Sequence, residues 1–158
     1  MIKRIHIFGG PGSGKTTLAK KMSEELNIPH YDLDNLRYKE DDVDYTSYED
    51  EKRRSKRLKQ IIKKEQWITE GSYTNFAMPC FEKAEKIIIL ETSIFKTTYR
   101  IIKRLLLHKL RIERLPKKQS WKKLPELLKW NYIFHYQRIP ILKQKIKHLT
   151  HKTIKLKT

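Results

Sequence analysis

The chain has 158 residues, 38% of them hydrophobic, and a formal charge of +18 from 36 Lys and Arg against 18 Asp and Glu. That length allows one domain to bury a core unaided, and Cys80, the single cysteine, excludes an internal disulfide. No apolar run approaches the roughly 18 to 20 residues that cross a bilayer, and the N-terminus Met-Ile-Lys-Arg-Ile lacks a signal-peptide pattern, so a cytoplasmic protein without membrane contact is expected.

Lys3 to Phe8 alternates and is rich in β-branched residues, then breaks at Gly9-Gly10-Pro11-Gly12, which predicts a strand entering a turn. Thr16 to Leu26 holds good helix formers and stops at Asn27-Ile28-Pro29, before a second short strand over His30 to Leu33. Thr46-Ser47-Tyr48-Glu49 has capping-box spacing and predicts the start of a helix reaching about Lys64, with Leu58, Ile61 and Ile62 on its apolar face. Gln66 to Glu70 reads as a third strand, and Lys86 to Glu91 as a fourth, apolar enough to be buried on both faces. A helix over about Phe95 to His108 follows, then a basic connector from Lys109 to Ser120 that reads as a mobile lid. A further helix runs to about Arg138, with Trp121, Leu124, Leu127, Leu128, Trp130, Ile133 and Phe134 at core-like intervals. Pro140 separates a last helix, and Lys152 to Lys157 alternates as a fifth strand. Strands interleaved with helices predict an α/β, doubly wound, mostly parallel five-stranded sheet in one domain spanning 1–158.

The charge is uneven. Residues 92–158 hold 19 Lys and Arg against 2 Asp and Glu, whereas residues 1–91 are nearly neutral. Such a field attracts polyanions. Any nucleic-acid binding is expected to be weak, non-specific and salt-sensitive, because the basic residues are scattered over several helices. The plain alternative is that many of these lysines solvate helix faces.

Gly9-Gly10-Pro11-Gly12-Ser13-Gly14-Lys15-Thr16 satisfies G-x-x-x-x-G-K-[ST] between a predicted strand and a predicted helix, the setting this phosphate loop requires. In such a loop the backbone N–H groups of Gly10, Pro11's neighbours, Gly12, Ser13 and Gly14, with Lys15, Thr16 and Thr17, surround nucleotide phosphates, and the Thr16 hydroxyl ligates magnesium. A purely structural glycine turn would need neither the lysine nor the threonine. Asp32 and Asp34 fall at the carboxyl end of the second strand, where ligands bind in open α/β sheets. Asp32 could hold magnesium through water and Asp34 could take a proton from an acceptor hydroxyl, or Asp34 could simply cap a helix. Glu70 ends the third strand where a carboxylate would help hold magnesium, unless it is exposed to water. Arg100 and Arg104, four apart, share one helix face and suit phosphate or base contact, with a solvated basic face as the alternative. The six histidines show no metal-ligand spacing.

On these residues the chain resembles the small P-loop kinases of the adenylate kinase and shikimate kinase type. It most closely resembles the family called DNA topology modulation protein, FlaR-related. The resemblance rests on Gly9 to Thr17, His30-Tyr31-Asp32-Leu33-Asp34, Trp67 to Tyr73, Ile87 to Leu90, and Arg100 to Arg104. It implies a sheet order of 2-3-1-4-5, an acceptor-binding region at about 35–65 and an arginine-bearing lid at about 109–120, with Arg111 and Arg114 as lid residues. It further implies ATP and Mg2+ as cofactors, Arg100 and Arg104 facing the adenine and phosphates, and Lys15, Asp34 and Arg104 as the catalytic set. Asp34, Arg37, Glu70 and Gly71 would meet an unidentified small-molecule acceptor. Nucleoside monophosphate kinases resemble this chain at Asp34-Asn35-Leu36-Arg37, whose arginine would grip an acceptor phosphate, but they carry a further phosphate-gripping arginine where this chain has Thr74, which favours a hydroxyl acceptor with a nucleotide acceptor as the alternative.

Overall fold

The computed structural model describes residues 2–37, 47–110 and 124–158. Five parallel strands, β1 (Arg4–Phe8), β2 (His30–Asp32), β3 (Trp67–Gly71), β4 (Lys86–Glu91) and β5 (Thr153–Lys157), form one sheet in the order β2-β3-β1-β4-β5. The expected doubly wound sheet and its strand order are both borne out. The helices are α1 (Lys15–Leu26), α2 (Glu51–Ile62), α3 (Met78–Lys83), α4 (Ile94–Lys109), α5 (Leu124–Ile133) and α6 (Ile139–Lys145).

Strand alternation divides the core into two layers. Ile5 and Ile7 of β1 join Ile68, Ile88 and Leu90 beneath α1, where Ala19 closes the contact. Phe8, on the opposite face, joins Ile87, Ile89, Trp67, Phe81, Phe134 and Leu142. Each fully buried side chain of this size contributes about 1.5–3 kcal/mol relative to exposure, and these rows hold the central strands in register. Among them sits one buried imidazole. His6 Nδ1 lies 2.9 Å from Thr69 Oγ1, the ring meets Phe81 edge-on at 4.3 Å, and burial lowers its pKa to about 3. Cys80 is buried nearby, and burial pushes its thiol up to about 12.

Two expected element boundaries are corrected. The predicted capping box does not start α2: Asp50 does, accepting from Lys52 N at 3.0 Å and Arg53 N at 3.4 Å, while Thr46 lies outside the described residues. Pro140 does not separate two helices. A π-turn over Phe134–Arg138 carries α5 into α6, the Ile139 N–H reaching back to Phe134 O, and Pro140 occupies the first turn of α6, where a missing N–H is tolerated. The apolar stripe of α5 is also less buried than its spacing suggested. Phe134 is buried, but Leu124, Leu127, Leu128, Trp130 and Ile133 are half-buried, and the fully buried group of α5 is Asn131, whose amide donates to Thr97 and Thr98 of α4. Trp121 and the start of the helix expected near Ser120 lie outside the described residues. The short helix α3 carried no signal beyond Pro79 in its first turn.

Candidate functional site

The carboxyl ends of β1, β2 and β3 lie side by side, with Phe8 paired to Gly71 and Asp32 to Glu70. The loop leaving β1 turns through Ser13 N to Gly10 O at 3.2 Å and is tied to β3 by Gly9 N to Gly71 O at 3.3 Å. Gly12 and Gly14 have φ of 70° and 89°, the left-handed region that glycine enters without strain. Gly14 caps α1 and supplies no side-chain bond to the first-turn N–H groups, which leaves them directed at the loop as an anion site.

Four side chains converge at this helix start. Thr16 Oγ1 donates to Glu70 Oε1 at 2.7 Å, Lys15 Nζ lies 3.7 Å from Glu70 Oε2, and His30 Nε2 lies 3.8 Å from Glu70 Oε1. Glu70 is fully buried, so the reading of it as a water-exposed strand end is corrected. Burial pushes its carboxyl up, but His30, Lys15 and Thr16 together outweigh burial and hold it below the usual carboxylate range. Glu70 Oε2 has no hydrogen-bond partner among the described residues. An orphaned carboxylate oxygen beside a hydroxyl and a second carboxylate strand end, Asp32, offers hard oxygen donors of the kind magnesium takes when phosphates and water complete its shell. No group of three His, Cys, Asp or Glu side chains among the described residues is arranged to hold a metal alone.

α4 closes the other side. Arg100 Nη1 donates to Gly12 O at 3.2 Å. Arg100 and Arg104 line a cleft of about 170 Å³ with Gly12, Gly14, Lys15, Thr16 and Thr17. Of the remaining loop residues, Gly10 packs on Phe134, Ser13 is buried and Pro11 is half-buried, so their approach to a ligand is through backbone.

Beyond β2 the chain turns through a 3-10 helix, Leu33–Leu36, capped by Asp32, which accepts from Asp34 N at 2.8 Å. The capping role considered for Asp34 thus belongs to Asp32. The Asp34 carboxylate instead interacts with the Tyr73 hydroxyl, which Arg37 also reaches; burial first, then Asp34, push the Tyr73 pKa well up. Arg37 stacks over Tyr48 at 4.9 Å. Arg54 of α2 stacks over Phe76 at 4.4 Å and Tyr73 at 5.9 Å, and its Nε is buried without a hydrogen-bond partner among the described residues. Gly71 packs on Leu33, and Thr74 is buried.

Lys15, Thr16, Glu70, Arg100 and Arg104 are therefore brought around one helix start, and Asp34, Arg37 and Gly71 around Tyr73. Arg111, Arg114 and most of the expected lid lie outside the described residues. Sequence reasoning missed His30, Tyr73 and Arg54. Arg54 had a signal, since it shares the helical face of Leu58 and Ile61, an unusual place for an arginine.

Residues 8–111 match the family described as AAA domain. A shikimate kinase of Azobacteroides pseudotrichonymphae genomovar. CFP2 is 34% identical over 87 residues, covering 51% of this chain and 50% of that protein. The chain thus matches about half the length of this curated relative. Among solved structures, the fold resembles a shikimate kinase from Bacteroides thetaiotaomicron, with TM-score 0.59, 21% identity, and 91% of this chain and 84% of that one covered. It also resembles an uncharacterized protein from Eubacterium ventriosum ATCC 27560, with TM-score 0.54, 16% identity, and coverage of 98% and 88%. A sugar kinase from Janibacter sp. HTCC2649 superposes with TM-score 0.50 at 14% identity, covering 95% of each chain. No helix among the described residues is long and apolar enough to cross a membrane.

Proposed function

The chain belongs to the AAA domain family, and from that premise we propose that it is an ATP-dependent kinase, a single domain that transfers the γ-phosphoryl group to a hydroxyl of a small molecule. The observation that carries the reading is the joint engagement of Lys15 and Thr16 by the buried carboxylate of Glu70, at 3.7 and 2.7 Å, beneath a glycine loop and a helix start with no side-chain cap. These groups have the chemistry to receive a triphosphate, with Lys15 on the β,γ-oxygens and Arg100 and Arg104 on the flank. Thr16, Glu70 and Asp32 would hold magnesium, which when bound neutralises phosphate charge.

On the acceptor side, Asp34 takes the proton of the acceptor hydroxyl as its oxygen bonds to the γ-phosphorus and the bond from phosphorus to the β,γ-bridging oxygen breaks, releasing ADP. Arg37 and Arg54 flank Tyr73 and favour an acceptor that also carries negative charge. The shikimate kinase relative supports a small hydroxyl-bearing acceptor. A nucleoside monophosphate is less favoured, because the residue where such kinases place a phosphate-gripping arginine is the buried Thr74. The charge of residues 92–158 favours a second reading, an ATP-binding regulatory protein with non-specific nucleic-acid contact, in keeping with the resemblance to DNA topology modulation proteins.

The deciding experiment measures ATP consumption against a panel of hydroxyl metabolites, nucleosides and nucleotides, with Lys15→Ala as control. Turnover with one acceptor, lost in Lys15→Ala while its melting curve stays normal, is the expected result. Normal ATP binding by a folded Lys15→Ala protein contradicts the reading.

A further inference from the structure

β2 and β5 are the two edges of the sheet, and they are finished differently. β2 has three residues, all half-buried. β5 has five, of which Ile154 through Lys157 are exposed. Its register sets Ile154 beside Ile88 and Leu156 beside Leu90, so both extend the apolar row that α1 covers. Among the described residues the cover stops beyond β4: Ile88 and Leu90 are 6% and 3% exposed, whereas Ile154 and Leu156 are 38% each. Lys155 and Lys157 alternate with them on the opposite face, beside Ile89 and Glu91, and neither pairs with a carboxylate among the described residues.

We propose that the open edge of β5 is a docking site for an extended segment of a partner protein in which apolar and acidic residues alternate. An edge strand presents unpaired backbone groups, and a strand added to it gains main-chain hydrogen bonds while its side chains select by alternation. The period of two decides the chemistry. Apolar side chains of the added strand fall on the α1 face and complete the row over Ile154 and Leu156. The intervening residues fall beside Lys155 and Lys157 and are favoured when acidic, since opposite charges across strands stabilise and like charges destabilise. The same lysines disfavour a second copy of β5, which would set lysine against lysine. Nucleic acid would use the lysines but leave the apolar pair uncovered. β5 leads into Thr158, whose hydroxyl contacts Ser13 O in the phosphate loop, so an occupied edge adjoins the nucleotide site.

The test uses the full chain and a short synthetic peptide, capped at both ends, in which valine and glutamate alternate. Controls are a valine–lysine alternating peptide and a block peptide of the same valine and glutamate content. Amide NMR shifts and hydrogen exchange are followed across 153–157. The expected result is slowed exchange at those amides and an affinity about tenfold or more above both controls. The double variant K155E/K157E should invert the preference toward the lysine peptide, and Ile154→Ser should weaken binding of either. The proposal is overturned if the peptide perturbs other residues or none, or if the block peptide binds equally well. Retention of the acidic preference in the charge-swapped variant also overturns it. So does concentration-dependent self-association that protects 153–157 without peptide, or displacement of the peptide from these amides by an oligonucleotide.

Discussion

The Thr16 hydroxyl donates to Glu70 Oε1 at 2.7 Å, joining the first turn of α1 to the end of β3 across 54 residues of chain. Lys15 approaches the other oxygen of the same carboxylate. Before any phosphate enters, one buried carboxylate orients both side chains that a nucleotide would use.

Glu70→Gln keeps an acceptor oxygen for Thr16 and removes the charge facing Lys15. Affinity for ATP with magnesium is expected to fall about 10- to 100-fold, the usual effect of disturbing the groups around a metal. Affinity for ATP in chelator should change little. Calorimetry in both conditions checks this; an equal loss in the two would place Glu70 outside magnesium binding.

Asp34→Asn should lower the rate with the identified acceptor by roughly 10² to 10⁴, the span for losing a positioned base, with ATP affinity nearly unchanged. Tyr73→Phe, which removes the hydroxyl that Asp34 meets, should have a smaller effect. Arg37→Ala abolishing acceptor binding while Asp34→Asn stays nearly silent would point to a phosphate acceptor instead.

Gly10→Ala should destabilise the protein by about 1–3 kcal/mol, the range for overpacking. A Cβ there would stand 2.6 Å from Phe134 Cδ1. In the Phe134→Leu background the same change should cost less, and denaturant midpoints of the four proteins give the coupling. Additive effects would mean that the ring does not set the space above the loop.

His6 makes stability depend on pH. Its folded pKa is lowered to about 3, chiefly by burial, from 6.5 in the unfolded chain. Below 6.5 the unfolded state binds the extra proton, so stability is full above that pH and falls as pH drops toward 3. The slope approaches about 1.4 kcal/mol per pH unit. The stability difference between wild type and His6→Asn should be flat above pH 7 and shrink below 6.5. A difference that stays constant down to pH 4 would refute a buried neutral imidazole.

The phosphate loop, the five strands and their α/β class were legible in the sequence because each rests on local rules: glycines where φ is positive, alternation for strands, an uninterrupted Ile87 to Leu90 for a strand buried on both faces. Glu70 could be named as a strand-end carboxylate, yet one residue cannot reveal whether its strand is central or at an edge, and only the place of β3 between β2 and β1 buried it. Arg54, Tyr73 and Asp34 belong to three separate elements, so their meeting depends on how α2 and the turn after β3 pack on the sheet. The π-turn at Phe134 is likewise decided by fit, since it sets that ring against Gly10 and Phe8 where helical spacing alone foresaw only a buried stripe. Short-range chemistry wrote the motif and the strands. Long-range packing, which no window of sequence contains, decided which charged groups were buried together.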